Sequence, residues 1–217
     1  MSESAIQKIV DLVPAPLPAS QRFVIAVAGP PASGKSTLAA ELCAALAPTA
    51  GVLGMDAFHY DNRILEERGD LACKGAPHTF DVDGYAKALA RLRSEPAASI
   101  AIPEFDRNLE LARSAARIIT SNQSIVITEG NYLLLDEEPW RTLKPLFDLT
   151  IWLDVPLPTI EQRIMRRWTN QGLDRKQAAH RLAHNDLPNA QLVQARSRPA
   201  DMSIAFPGRE PGAVSPT

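Results

Sequence analysis

The sequence predicts an α/β fold built on a mostly parallel β-sheet, and three observations carry that expectation. Continuous apolar runs recur at "RFVIAVAG", "GVLGMD", "SIVITEG", "DLTIWLDV" and, more weakly, "DMSIAF". Such runs suit strands buried on both faces, as the strands of a parallel sheet are. Helical patterns lie between them, chiefly "DGYAKALARLR" and "PTIEQRIMRRWTNQG", and this alternation is the mark of a parallel α/β architecture. Third, the first apolar run passes through a Gly-rich loop into the Ala- and Leu-rich helical stretch "STLAAELCAALA".

Taken in order, Ser4 to Gln7 reads as a capping box, and Ile6, Ile9, Val10 and Val13 then recur at helical spacing. "PAPLPAS" ends that helix and makes a stiff connector into the first strand. "SIAIPEF" and "AARIIT" are shorter than the other runs and predict an inserted hairpin. The final stretch "PGREPGAVSPT" has Pro, Gly and no periodicity, so disorder is expected there. There is no internal repeat and no low-complexity domain.

The length of 217 residues suits one domain with room for a small lid. Lys plus Arg is 23 and Asp plus Glu is 25, a net charge of −2, so no global charge points to nucleic acid or a membrane surface. The two cysteines, Cys43 and Cys73, make no disulfide framework and no CxxC. Cys43 lies in an apolar helical stretch and is expected in the core, and a reducing cytoplasm fits. No run approaches the length of a membrane span, and the mixed-charge "MSESAIQKIVDLV" does not read as a signal peptide.

"GPPASGKST", Gly29 to Thr37, matches G-x-x-x-x-G-K-[ST]. Gly29 and Gly34 let the backbone curl, so that the N–H groups of Ala32 through Thr37 face an anion, and the following helix adds its positive end. Lys35 is expected to reach the outer phosphates and the Ser36 hydroxyl to hold Mg²⁺. A plain Gly-rich turn with a solvated lysine is the alternative. The position between a buried strand and a helix is the context that favours phosphate binding.

Three apolar runs, "VLGMD", "IVITE" and "TIWLD", finish in an acid: Asp56, Glu129 and Asp154. In a parallel sheet the carboxyl ends of the strands share one edge, and ligands bind there. A nucleotide enzyme needs an acid near Mg²⁺, and a kinase also needs an acid that orients or deprotonates the attacking hydroxyl. Glu129 is assigned the metal side, with Gly130 allowing a sharp turn behind it. Asp56 is assigned the base, and Asp154 a structural or supporting role. Alone, each would read as a strand-end residue in a turn.

"TIEQRIMRRW" places Arg163, Arg166 and Arg167 at i, i+3 and i+4, one face of a helix. Clustered guanidiniums suit polyphosphate, and a mobile helix carrying them can close over a nucleotide. A solvated basic face is the alternative. "KGAPHTFD", Lys74 to Asp81, and "IPEFDRN", Ile102 to Asn108, look like substrate loops, although either alone would pass for plain surface. His180 and His184 stand at i, i+4, and without a matching third ligand a polar helix face is expected there. No N-K-x-D, L-S-G-G-Q or G-x-S-x-G is present. These absences weigh against a switch GTPase, a transporter ATPase subunit and a hydrolase elbow.

These pieces, together with "MDAFHYDN", "PEFDR", "ITEGNYLLL", "IWLDVP" and "NDLPNA", resemble the phosphoribulokinase, uridine kinase and pantothenate kinase family of P-loop kinases. They run in family order from about Phe23 to Phe206. The set is most similar to bacterial nucleoside kinase-like proteins described as fructose transport system kinases. The resemblance implies a P-loop NTPase fold: a five-stranded mostly parallel sheet flanked by helices, with a lid at about 156–190. The kinase domain would span 1–207 and the disordered tail 208–217.

The resemblance also implies ATP, Mg²⁺ and transfer of the γ-phosphate to a small-molecule hydroxyl. Carried over by position, Lys35 and Ser36 hold phosphate and Mg²⁺, Asp56 is the base and Glu129 the metal-side acid. Arg163, Arg166 and Arg167 are the lid arginines, and His59, Tyr60, Lys74, Asp106, Arg107 and Asn131 fall in the acceptor pocket. The chain departs from family pattern at Ala57, where pantothenate kinases have Gly, and at Cys73, where relatives often have Arg. "PEFDR" lacks the downstream His-x-Arg of uridine kinases, which weighs against uridine.

The expected function is therefore an ATP-dependent cytoplasmic kinase acting on a small-molecule acceptor. The polar pocket candidates mildly favour a sugar or sugar-like acceptor. A nucleoside or pantothenate-type acceptor, or a nucleotide-sensing regulatory protein without an acceptor, are the alternatives. No nucleic-acid or membrane partner is expected, and a homodimer is a candidate assembly.

Overall fold

The computed structural model describes residues 3–17 and 19–205. The stretch expected to be disordered lies outside the described residues. The chain opens with helix α1 (Glu3–Val10), strand β1 (Phe23–Ala28), helix α2 (Lys35–Ala45) and strand β2 (Ala50–Gly54). Then come α3 (Asn62–Arg68), α4 (Val82–Ser94), β3 (Ile100–Asp106), β4 (Leu111–Ile119) and β5 (Ile125–Gly130). Strand β6 (Leu149–Asp154), α5 (Leu157–Asn170), α6 (Arg175–Arg181), α7 (Leu187–Arg196) and β7 (Met202–Ala205) complete it. Helix α1 already includes Ser4, so that residue lies inside the first turn rather than capping it.

The sheet has five strands in the order β2-β5-β1-β6-β7, and every pairing is parallel. Its apolar runs split by alternation into two cores. Val24, Ala26 and Ala28 face a core that includes Tyr85 and Leu89 of α4. Ile25 and Val27 face the other, which includes Ile9 of α1 and Leu38 and Leu42 of α2. Five consecutive residues of β1, Val24 to Ala28, have no exposed surface. Cys43 is only partly buried, at the margin of the second core. The short runs form the expected hairpin, with β3 and β4 antiparallel.

A residue that sequence patterning passes over binds the start of the sheet. Arg22 is fully buried and its guanidinium donates to five backbone carbonyls. Nε reaches Gln123 at 2.8 Å, Nη1 reaches Leu92 at 2.7 Å and Glu95 at 2.8 Å, and Nη2 reaches Ala98 at 2.6 Å and Thr120 at 3.2 Å. That uses all five donors of the fork and joins the end of α4 to both ends of the hairpin. Next to it, Arg93 pairs both nitrogens with Asp148, whose Oδ2 also accepts from the Val24 amide at 2.8 Å.

Arg22→Met removes every one of those donors and leaves buried carbonyls bare. The expected loss is about 3–5 kcal/mol of stability, read as a lower urea midpoint at unchanged m-value. A loss below about 1 kcal/mol would mean that water replaces the guanidinium.

Candidate active site

The loop between β1 and α2 has the curl that anion binding requires. Gly34 caps α2 at φ +104°, and Ala32 sits at φ +57°. Only glycine adopts the first value without strain. The opening N–H groups of α2 have no intrahelical partner and face the loop. Lys35 is 7% exposed and folds back over the loop, its Nζ donating to the Pro30 carbonyl at 2.8 Å. Burial lowers its pKa to about 8, although Glu129 and Asp56 pull it up. Arg163 of α5 donates from the outside to the carbonyls of Ala32 at 3.1 Å and Ser33 at 3.0 Å.

Two of the three strand-end acids reach this loop. The register pairs Gly54 of β2 with Glu129 of β5, and Asp56 follows on a 3-10 turn, Met55–Phe58. Glu129 Oε1 accepts from Ser36 Oγ at 3.0 Å. Burial, with Asp56 adding to it, raises the Glu129 pKa, and Lys35 opposes the shift. The Asp56 carboxylate pairs with Arg107 at 2.7 Å. Asp154 is exposed at the end of β6 and does not line the cavity, so the three acids do not converge. Gly130 is required by crowding rather than by a turn, since a Cβ there would lie 2.5 Å from Met55.

These groups open onto one cavity of about 500 Å³. Lys35, Ser36, Asp56, Glu129 and Asn131 line its sheet edge, and His59, Lys74, Phe105 and Arg107 its far side. Arg167, Trp168, Arg181 and Asp186 close it from the helical segment. His59 is fixed from two directions. Its Nδ1 lies 2.8 Å from the Asp56 carbonyl, and its ring packs 3.9 Å from Phe80 and 5.2 Å from Phe105. Burial lowers its pKa, while Asp56 pulls the other way, so the ring is neutral at pH 7.

Three expectations need correction. The three arginines do not act as one face. Arg167 lines this cavity and pairs with Asp186 at 3.1 Å. Arg163 and Arg166 line a neighbouring cavity of about 440 Å³ with Thr37, Leu153, Val155 and Ile204. Arg167 stands one turn, about 6 Å, further along the helix than Arg163 and turns to Asp186, while Arg163 turns to the loop carbonyls. Tyr60 is outside the cavity, its ring 4.3 Å from the Arg68 guanidinium. Asp106 is also outside: its Oδ1 accepts from the amides of Asn108 at 3.0 Å and Leu109 at 3.2 Å, which shapes the hairpin turn. Gly29 and Ser33 belong to the loop but do not line the main cavity.

Sequence reasoning missed Phe105, Trp168, Arg181 and Asp186. Two guanidiniums stand over the Trp168 ring, Arg167 at 4.7 Å and Arg181 at 4.2 Å, and its Nε1 donates to the buried Asp186 at 2.7 Å. Asp186 ends a π-helical turn, Leu182–Asp186, a form that clusters at functional sites. "NDLPNA" held that signal. His180 and His184 stack 4.0 Å apart on one helical face, and among the described residues no three His, Cys, Asp or Glu side chains form a metal cluster.

A Mg²⁺ bound with a nucleotide needs no such cluster, since this ion keeps waters and takes one or two carboxylates plus phosphate oxygens. The Ser36 hydroxyl and the Glu129 carboxylate, in contact and beside the loop, fit that donor set.

Fold and site together define a P-loop kinase. The chain belongs to the phosphoribulokinase / uridine kinase family, whose profile matches residues 24–205. The Escherichia coli (strain K12) protein YggC, itself described as uncharacterized, is 34% identical over 189 residues, 85% of this chain and 78% of its own. A Schizosaccharomyces pombe protein described as "putative uridine kinase C227.14" is 31% identical over 185 residues, 80% of this chain and 79% of its own. A solved structure described as a "putative fructose transport system kinase" from Silicibacter sp. TM1040 has a TM-score of 0.86 at 38% identity. It covers 93% of this chain and 97% of its own. No helix among the described residues is long and apolar enough to cross a membrane.

Arg163→Ala frees two carbonyls that hold the loop's curl. Triphosphate affinity should fall about tenfold, read by calorimetric titration with ATP. Unchanged affinity would show that the loop keeps its shape without the helix.

Proposed function

We propose that this chain is an ATP-dependent kinase that transfers the γ-phosphate to a hydroxyl of a small metabolite, with a sugar or sugar-like acceptor favoured. One observation carries this reading: a single cavity of about 500 Å³ holds the phosphate loop at one side and Asp56 with a polar wall at the other. A sensor of nucleotide alone has no use for that second wall. The volume suits phosphates and a compact acceptor.

The loop amides and Lys35 bind the outer phosphates, and Arg167 faces the same space. The adjoining cavity, with Leu153, Val155 and Ile204 beside Arg163 and Arg166, suits the base and ribose. Ser36 and Glu129 would hold Mg²⁺, which neutralises phosphate oxygens when bound. The acceptor hydroxyl sits at Asp56 Oδ, which takes its proton as the oxygen bonds to phosphorus and the bond to the ADP oxygen breaks. Arg107, held 2.7 Å from Asp56, fixes the direction of that carboxylate until the acceptor arrives. Positioning and electrostatics supply most of the acceleration, as in phosphoryl transfer generally. The ring faces of His59, Phe80 and Phe105 favour the second reading, a nucleoside acceptor that stacks on them.

Asp56→Asn should retain ATP binding and lose about 10²–10⁴ in kcat on an active acceptor, measured by coupled ADP release. Near-full activity would remove Asp56 as base. Turnover that no metabolite accelerates in the wild type would favour the sensor reading.

The Lys35 pKa of about 8 also has a measurable sign. Below that pH the free protein already carries the proton that bound phosphate demands. Above it, binding must take one up, so ATP affinity falls by roughly tenfold per pH unit. Calorimetry at pH 9 in two buffers of different ionisation enthalpy should show uptake approaching one proton, and at pH 7 close to none. Equal uptake at both would place another group in that role.

A further inference from the structure

The far side of the main cavity holds charge that the proposed transfer does not use. Five cations and four carboxylates line the cavity. Arg107 pairs with Asp56 at 2.7 Å, Arg167 with Asp186 at 3.1 Å, and Lys74 has Glu110 at 4.0 Å. Lys35 and Glu129 belong to the phosphate side. Arg181 is left. Among the described residues its side chain makes no hydrogen bond or ion pair, and its Nε is buried without a partner. Its guanidinium carbon stands over the Trp168 ring, 4.2 Å from the centroid.

Arg181 is not placed with the phosphate loop. Its charge is felt by Asp186 and Arg167 on the helical segment and by Lys74, whose pKa is lowered first by burial and then by the Arg181 charge, against Glu110 and Asp61. The Lys74 side chain is 10% exposed. Its Nζ donates to Asn62 Oδ1 and to the Glu110 carbonyl, both at 2.7 Å, which leaves one ammonium proton for a ligand. Asn185 of the π-helical turn donates to the Lys74 carbonyl at 2.9 Å and ties the two elements together. Two cations from separate elements thus line one cavity, where like charges raise the energy of the empty site. A bound anion reverses that sign.

The geometry points to an acceptor that carries an anionic group, a carboxylate or a phosphate monoester, gripped by Arg181 and Lys74 while its hydroxyl meets Asp56. This rests on the kinase reading and narrows it, setting a sugar acid or sugar phosphate above a neutral polyol or nucleoside. Arg181 and Lys74 are specificity determinants here. The arginine fork supplies the planar, two-point grip that either anion takes.

The test uses the full chain, saturating ATP with Mg²⁺, and a matched panel of three- to six-carbon polyols, their aldonates and their monophosphates, followed by ADP release. The charged members should exceed their neutral parents by about tenfold or more in kcat/KM. Aldonates ahead of monophosphates identify a carboxylate, and the reverse a phosphate. R181Q should bring the charged-to-neutral ratio to within about threefold by raising the acceptor KM, with the ATP KM changed less than about twofold. R181K should restore part of the ratio, and K74Q should lower it independently, so that one poorly folding variant does not decide the outcome.

Neutral and charged members equal in the wild type would overturn the inference. So would an R181Q effect on the ATP KM alone, which would assign Arg181 to the nucleotide. If no panel member speeds ADP release, the kinase reading fails for these acceptors while calorimetry still tests the anion site. Binding of glycerate or glycerol 3-phosphate that R181Q abolishes supports the site, and no binding of either overturns it.

Discussion

Parallel pairing is the constraint from which the rest of the molecule follows. Strands that run the same way end at the same edge, so the loop after β1, the turn after β2 and the end of β5 are forced together. The register then sets detail. Gly54 opposite Glu129 brings Asp56 and Glu129 to the same rim, and the close approach of Gly130 to Met55 allows β5 and the 3-10 turn to pack without a gap. Burial of both faces demands helices above and below, and α2 meets that demand while presenting its positive end to the loop. The core and the phosphate site are therefore products of one arrangement.

Holding charge inside this rim has a cost that the structure spreads over many backbone groups. Lys35 is buried and leans on the Pro30 carbonyl, and Arg163 leans on two carbonyls of the same loop. Arg22 does the same at the far end of β1, with five carbonyls and no carboxylate in its grip. Carbonyl dipoles stabilise a cation without neutralising it, so at the loop the positive potential survives for a phosphate to meet. The Asp56–Arg107 pair differs: both partners are side chains, the arginine is largely exposed, and a ligand can separate them.

The segment from α5 to α7 joins the two ends of the cavity. Asp186 is buried, with a pKa raised by that burial and pulled back by Trp168 and Arg167, and it anchors the Arg167–Trp168–Arg181 stack. Asn185, one residue earlier, holds the Lys74 carbonyl. The π-helical turn shifts the phase of the helix by part of a turn, and this lets neighbouring residues reach both Trp168 and the loop that carries Lys74. Movement of this segment would carry Asn185 and Asp186, and with them the contacts to Lys74 and Arg167, together.

Much of this was readable from the chain alone. Apolar runs long enough to be strands, with helices between, dictate a parallel sheet, because only that sheet is covered on both faces. "GPPASGKST" dictates a phosphate loop because its glycines and lysine have a local geometric purpose, and Asp56 and Glu129 follow from the strand-end rule. What needed the tertiary structure were the contacts set by long sequence separation. Tertiary partners, not helical phase, divided the arginines: the carbonyls of Ala32 and Ser33 hold Arg163, and Asp186 holds Arg167. The hairpin turn drew Asp106 into its own amides and swung Arg107 onto Asp56, 51 residues away in sequence. Arg22 and Arg181 look alike in the sequence as isolated arginines. Only packing decides that five carbonyls surround the first, while the second lines a cavity with its Nε buried and without a hydrogen-bond partner.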